Sequence, residues 1–189
     1  MLDTLADTAR SVFNGPLTYS DTPDNTFVWE PFDIIGIDHY LSSENAGSYV
    51  QTIDTFAQSS KPVWVDEFGC PPWKGASADT GMAWNIVDSS TDPPHIKEGI
   101  VRDEDEQAQS IFDALGLIDQ SAAGRAYLNE FITAEAVHND DPLQDWDLTG
   151  YGIVTVFGDD SAHPYETTGY WEPKVAFDQL AAWNADRSS

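Results

Sequence analysis

Glu67 is the carboxyl group of this sequence whose setting most favours chemistry. It follows Val63 and Val65 at a spacing of two and precedes Phe68-Gly69, where a strand should stop, so a strand over 61–69 ends on it. A strand-terminal carboxylate can serve as acid, base or nucleophile toward a molecule held at the strand ends. The plainer reading is one more surface acid in a chain with 33 Asp and Glu residues. Tyr40 ends the preceding strand, where position alone reads it as a partly buried aromatic. His39, its neighbour, points to the opposite side of a regular strand, where it packs or caps, with lining the pocket as the alternative. Asp66 by the same rule faces away from Glu67, as a partner for a backbone amide or a basic group. Cys70, the single cysteine, has no activating base in view and reads as a small buried residue.

The elements that must position these groups alternate. Leu2, Leu5, Ala6, Ala9, Val12 and Phe13 stand at helical spacing over 2–13, and Asn14-Gly15-Pro16 ends the pattern. A short strand over 17–20 and a loop over 21–32 follow. The nearly continuous apolar run of 32–40 predicts a buried strand. A helix over 48–57 carries Tyr49, Ile53 and Phe56 on one face, and the strand 61–69 comes next. A long segment over 70–102, rich in Gly, Pro, Ser and Asp, exceeds the ~15 residues of ordinary connections and reads as a functional loop or lid. Then come a helix over 103–118, a strand over 126–133, an acidic loop, a short extra strand over 151–157, and a last helix opened by Pro173 and running to Trp183. Strands alternating with helices imply parallel βαβ units. The absence of a G-x-G-x-x-G turn leaves a dinucleotide fold without support.

Charge bounds the setting. Against 33 acidic residues stand 8 basic ones, a net charge of −25, and the acids are scattered through patterned segments rather than gathered in a tail. Such self-repulsion fades at about 1 M salt, where the Debye length is ~3 Å, so the composition fits a folded protein of a salt-rich cytoplasm. No basic patch exists to displace counterions from DNA or RNA, so nucleic acid is not an expected partner. No apolar run approaches the ~20 residues of a membrane span, and the N-terminus lacks the basic and apolar regions of a signal peptide, so the expected location is cytoplasmic.

Two segments together carry a resemblance. Phe32-Asp33-Ile34-Ile35-Gly36-Ile37-Asp38-His39-Tyr40 resembles the sixth strand, and Lys61-Pro62-Val63-Trp64-Val65-Asp66-Glu67-Phe68-Gly69 the seventh, of the large clan of retaining (β/α)₈ glycosidases that includes many cellulases, mannanases and β-galactosidases. The acidic run from His138 to Leu148, Tyr151-Gly152-Ile153-Val154 and Trp171-Glu172-Pro173-Lys174 fit the later pattern. More closely, Asp66-Glu67-Phe68-Gly69-Cys70 with Val101-Arg102-Asp103-Glu104-Asp105-Glu106-Gln107-Ala108 looks like a family of actinobacteria and salt-loving archaea often labelled abortive infection protein. The resemblance implies an α/β fold, a partial (β/α)₈ barrel in which residues 1–189 supply strands five to eight with their helices. It implies a glycoside hydrolase in which Glu67 is the nucleophile and Tyr40 donates a hydrogen bond that orients it, with carbohydrate as the partner and no cofactor. Trp73 and Trp84, in the long loop above the rim, and His39 become candidate substrate-binding residues, since aromatic faces suit the apolar faces of sugars. Packing of the loop on itself is the alternative for the two tryptophans.

Retaining glycosidases need two carboxyl groups ~5–5.5 Å apart. The clan carries its acid/base as a Glu after Asn at the end of strand four, and nothing before Glu67 matches it. Asn129-Glu130 supplies the dipeptide but at strand eight, where it reads as coincidence; that strand also lacks the Trp that forms a sugar platform in much of the clan. The acid/base is therefore expected in a missing N-terminal half. Two open sheet edges make isolation unfavourable. The chain is expected to be part of a longer protein, to pair with an N-terminal half-barrel chain, or to close a barrel with a second copy of itself, the first being preferred. The alternative function is a catalytically inactive, barrel-derived carbohydrate-binding or scaffold protein. A metal site among His138, Asp140, Asp141, Asp145 and Asp147 is disfavoured, because the spacing does not match an EF-hand loop.

Overall fold

The computed structural model describes residues 2–24, 29–158 and 169–187. Four strands, β1 (Thr18–Asp21), β2 (Ile34–Asp38), β3 (Val63–Phe68) and the later β6 (Arg125–Leu128), form one wholly parallel sheet in the order β1-β2-β3-β6. Helix α1 (Leu2–Arg10) precedes the sheet, α2 (Tyr49–Phe56) connects β2 to β3, and α3 (Glu104–Asp119) leads into β6. A hairpin of β7 (Val154–Val156) and β8 (Trp171–Pro173) is antiparallel, and α4 (Val175–Arg187) follows it. The expected alternation of helices and parallel strands is what the chain adopts.

The sheet has two unlike faces. Ile35, Ile37, Val63 and Val65 turn toward the helices and join Tyr49 and Ile53 of α2 and Ala108, Ile111, Ala114 and Ile118 of α3 in one buried cluster, with Ala126 and Leu128 of β6 against it. The largest of these side chains are fully buried, and each contributes roughly 1.5–3 kcal/mol by leaving water. Helix α3 starts cleanly because the Asp103 carboxylate accepts from the Glu106 amide at 2.9 Å and three acids fill its first turn, where the helix dipole favours negative charge. The other, concave face is polar and aromatic. There Arg125 lies over the Trp64 ring at 4.9 Å, and Trp64 meets Tyr127 at 5.9 Å between centroids. Gly36 leaves the room in which the Ser20 hydroxyl reaches the Asp66 carboxylate: a Cβ at position 36 would collide with both.

Several expectations need correction. The first helix does not bury an apolar stripe: Ala6 is buried, whereas Leu5 is 57% exposed and, just past the helix, Val12 is 86% exposed. The strand expected over 126–133 stops at Leu128, where the chain turns to meet Tyr151 and Ile153. Pro173 does not open the last helix. It closes β8 opposite Val154, and α4 begins at Val175. The long segment 70–102 contains an antiparallel pair, β4 (Val87–Asp88) with β5 (His95–Ile96). Ile86, Ile96 and Leu148 give that segment a small apolar core of its own.

Candidate active site

The C-terminal ends of β2 and β3 converge on a cleft of about 660 Å³. Ile35 pairs with Val63, Gly36 with Trp64 and Ile37 with Val65, but Asp38 then pairs with Glu67, so Asp66 is an inserted residue. Unbroken alternation would have sent Glu67 after Val63 and Val65 into the helix layer. The bulge turns it instead into the cleft, and Phe68 takes the buried position. The spacing of two that pointed to Glu67 carries no sign of the irregularity that turns it into the cleft. Among the described residues Asp66 pairs with no amide or base; its carboxylate accepts from the Ser20 hydroxyl on the face away from the helices.

Around Glu67 the polar groups form a directed chain. The Tyr40 hydroxyl donates to Glu67 Oε2 at 3.0 Å, and the Asn129 side-chain amide donates to the Tyr40 hydroxyl at 2.5 Å. Burial, above all, pushes the Tyr40 phenol well above its ordinary range, which keeps it protonated and able to donate at neutral pH. The Tyr151 ring sits 5.3 Å from that of Tyr40, and burial raises its phenol to about 12. Gly69 allows the end of β3 to lie against the Asn129 backbone, where a Cβ would strike the Asn129 carbonyl.

Asp38 is a functional candidate the sequence reading missed. It pairs with Glu67 in register and lines the same cleft. Its Oδ1 is buried with no hydrogen-bond partner among the described residues. Burial first, then the neighbouring charges of Glu67, Asp66 and Asp21, raise its carboxyl to about 6. A signal was present: a carboxylate continuing the apolar run Ile34-Ile35-Gly36-Ile37 has to be accounted for by something other than packing.

The remaining candidates divide. Trp84 lines the cleft and is 58% exposed. Trp73 does not line it, because its ring packs between the main core and the small cluster of Ile86, Ile96 and Leu148. For Trp73, packing of the loop replaces sugar contact. His39 touches the cleft but is 5% exposed, stacked on Tyr49 at 4.0 Å with Nε2 3.3 Å from the Tyr49 carbonyl; burial lowers its basicity. It combines both roles weighed for it, packing first. Of the Asn129-Glu130 pair, Asn129 faces the cleft, whereas Glu130 accepts from the Thr133 hydroxyl at 2.7 Å. Cys70 is buried, with its thiol raised to about 12 by burial.

The acidic run of 138–147 is occupied by cations from within the chain. Arg102 reaches Asp145 and Asp147 at 2.8 Å each and Glu104 at 3.2 Å, and the buried Lys174 ammonium lies 2.9 Å from Asp147. His138 Nδ1 is 3.0 Å from Asp145. These contacts tie the end of the long loop, the start of α3, the acidic loop and the start of α4 into one support behind the cleft. Among the described residues no group of three or more His, Cys, Asp or Glu is arranged to hold a metal ion. No helix of the described residues is long and apolar enough to cross a membrane.

No known family profile matches the sequence, and no curated protein does. The fold has clear relatives among solved structures. A GH113 β-1,4-mannanase superposes with a TM-score of 0.61 at 20% identity, over 96% of this chain and 49% of the mannanase. The GH113 β-mannanase of Alicyclobacillus acidocaldarius gives 0.54 at 19% identity, over 97% and 50%. A Ruminococcus gnavus β-glucuronidase gives 0.60 at 13% identity, over 97% and 28%. The chain spans about half the length of the two mannanases. Its fold is a partial (β/α)₈ barrel.

Proposed function

We propose that this chain carries the nucleophile half of a retaining glycoside hydrolase, with Glu67 as the nucleophile, Tyr40 as the residue that orients it, and carbohydrate as the ligand. The observation that carries the reading is the placement of Glu67. A bulge turns its carboxylate into a cleft at the C-terminal ends of parallel strands, where such barrels build their sites, and a buried phenol donates to it. A nucleophile needs one oxygen free to attack, and the Tyr40 hydrogen bond on Oε2 fixes the carboxylate while leaving the other oxygen open. Exposed Trp84 offers an aromatic face for a sugar ring. The resemblance to the clan-A type of retaining barrel, and more narrowly to the family labelled abortive infection protein, is consistent with this arrangement.

The acid/base is assigned to a complementary half-barrel. Within this chain Glu130 is engaged by Thr133 outside the cleft. Strands β1 and β6 each have one unpaired edge among the described residues, and Leu5, Val12 and Tyr127 are exposed. Residues 1–189 are read as the C-terminal half of one barrel domain, completed by further strands of a longer protein or of a partner chain.

The test is Glu67→Gln in the completed barrel, assayed on β-linked neutral glycans with mannan first in the panel. Hydrolysis falls by at least 10³-fold while glycan affinity is retained. Undiminished hydrolysis in the variant excludes the assignment of Glu67. Glycan binding with no hydrolysis in either protein makes the barrel a binding module.

A further inference from the structure

The chain of hydrogen bonds at the cleft has a direction, and the direction is set from outside the Tyr40–Glu67 pair. A phenolic oxygen has one proton to donate and lone pairs to accept with. If a neighbour accepted that proton, Glu67 would lose it. The neighbour at Tyr40 is Asn129, 2.5 Å away on the segment that leaves β6, and it presents its amide nitrogen, which can only donate. The phenolic proton is thereby left for Glu67 Oε2, 3.0 Å on the other side. The Asn129 amide also withdraws charge from the phenol oxygen, which strengthens the bond that Tyr40 gives, as successive hydrogen bonds polarise one another. The backbone fixes this arrangement, since the Asn129 backbone N–H donates to the Phe68 carbonyl at 2.8 Å and Gly69 lets the two segments touch.

We infer that Asn129 is a positioning residue that holds the Tyr40 hydroxyl in the orientation that donates to Glu67. It acts through Tyr40 and touches no reacting atom. The inference rests on the nucleophile reading for its purpose but not for its test, which needs no turnover: a chain that never hydrolyses a glycoside still reports which way the phenolic proton points.

The experiment is proton NMR on the chain in molar KCl, following the Asn129 side-chain amide and the Tyr40 hydroxyl proton. In Tyr40→Phe the Asn129 amide loses its acceptor, and its exchange with water speeds up roughly tenfold, the factor worth one ordinary hydrogen bond. In the near-isosteric Asn129→Asp the carboxylate can only accept, so the through-space contact of the hydroxyl proton moves from the Glu67 side chain to that of residue 129. A variant that merely loosened packing would speed exchange across neighbouring amides without redirecting that contact. Unchanged Asn129 exchange in Tyr40→Phe overturns the inference, and so does a hydroxyl proton that still faces Glu67 in Asn129→Asp. If Asn129→Asp does not fold, the same hydroxyl contact is read in Asn129→Leu: a contact to Glu67 that weakens supports the inference, and one as strong as in the parent overturns it.

Discussion

The Tyr40 hydroxyl lies 3.0 Å from Glu67 Oε2 because the strands that end in these residues slip by one position where Asp66 is inserted. Without that insertion alternation would point the carboxylate among the helices, away from the phenol. In the completed barrel, Tyr40→Phe should lower kcat by about 10²–10³-fold, the scale of losing one preorganised donor, with KM nearly unchanged. Steady-state kinetics on a chromogenic glycoside measures it. A rise in KM alone would make Tyr40 a binding residue instead.

Asp38 titrates against its surroundings. Its folded-state value of about 6 lies above the ordinary 3.8, so between those values the folded chain holds a proton that the unfolded chain has released. The group therefore favours the fold below pH 4 and costs stability as pH rises through 6, where the carboxylate must ionise beside Glu67. Asp38→Asn should raise Tm by a few degrees at pH 7.5 and by clearly less at pH 4.5, read by circular dichroism in molar KCl. Burial is the leading cause, so salt should not erase the difference. Equal effects at both pH values would refute this account of Asp38.

The support behind the cleft depends on Lys174 and Asp147. Removing the buried ammonium leaves Asp147 to Arg102 alone, so Lys174→Met should cost about 1–3 kcal/mol in urea unfolding. Asp140→Ala, at a fully exposed position of the same acidic run, should leave the unfolding curve where it is.

A net charge of −25 should make folding depend on salt. Circular dichroism with size-exclusion chromatography across a KCl series is expected to show structure at molar salt and its loss below about 0.5 M, as screening weakens. A chain folded and monomeric in about 50 mM salt would count against both the salt-adapted surface and the open half-barrel.

Much of the fold was legible because burial leaves a period. Ile35 and Ile37, then Val63 and Val65, mark strands buried by a helix layer, and Ala108 and Ile111 mark the helix that covers them. The site was less so. The bulge at Asp66 has no sequence period of its own, so Glu67 was reached by alternation that the structure breaks. Trp73 and Trp84 occupy a loop, where nothing in the residue order separates a packed ring from an exposed one. Asn129 meets Tyr40 across 89 positions of chain, a contact created by strand order rather than local pattern. Pro173 has its fixed φ suited to the start of a helix, but pairing with Val154 took it into a strand.

The most direct measurement is to trap the covalent intermediate that a retaining mechanism requires. The completed barrel would be incubated with a slow fluorinated β-glycoside and digested for mass spectrometry. The account predicts one added sugar on the peptide containing Glu67, absent in Glu67→Gln. An adduct on another carboxylate, or hydrolysis with inverted anomeric configuration and no adduct, would contradict it.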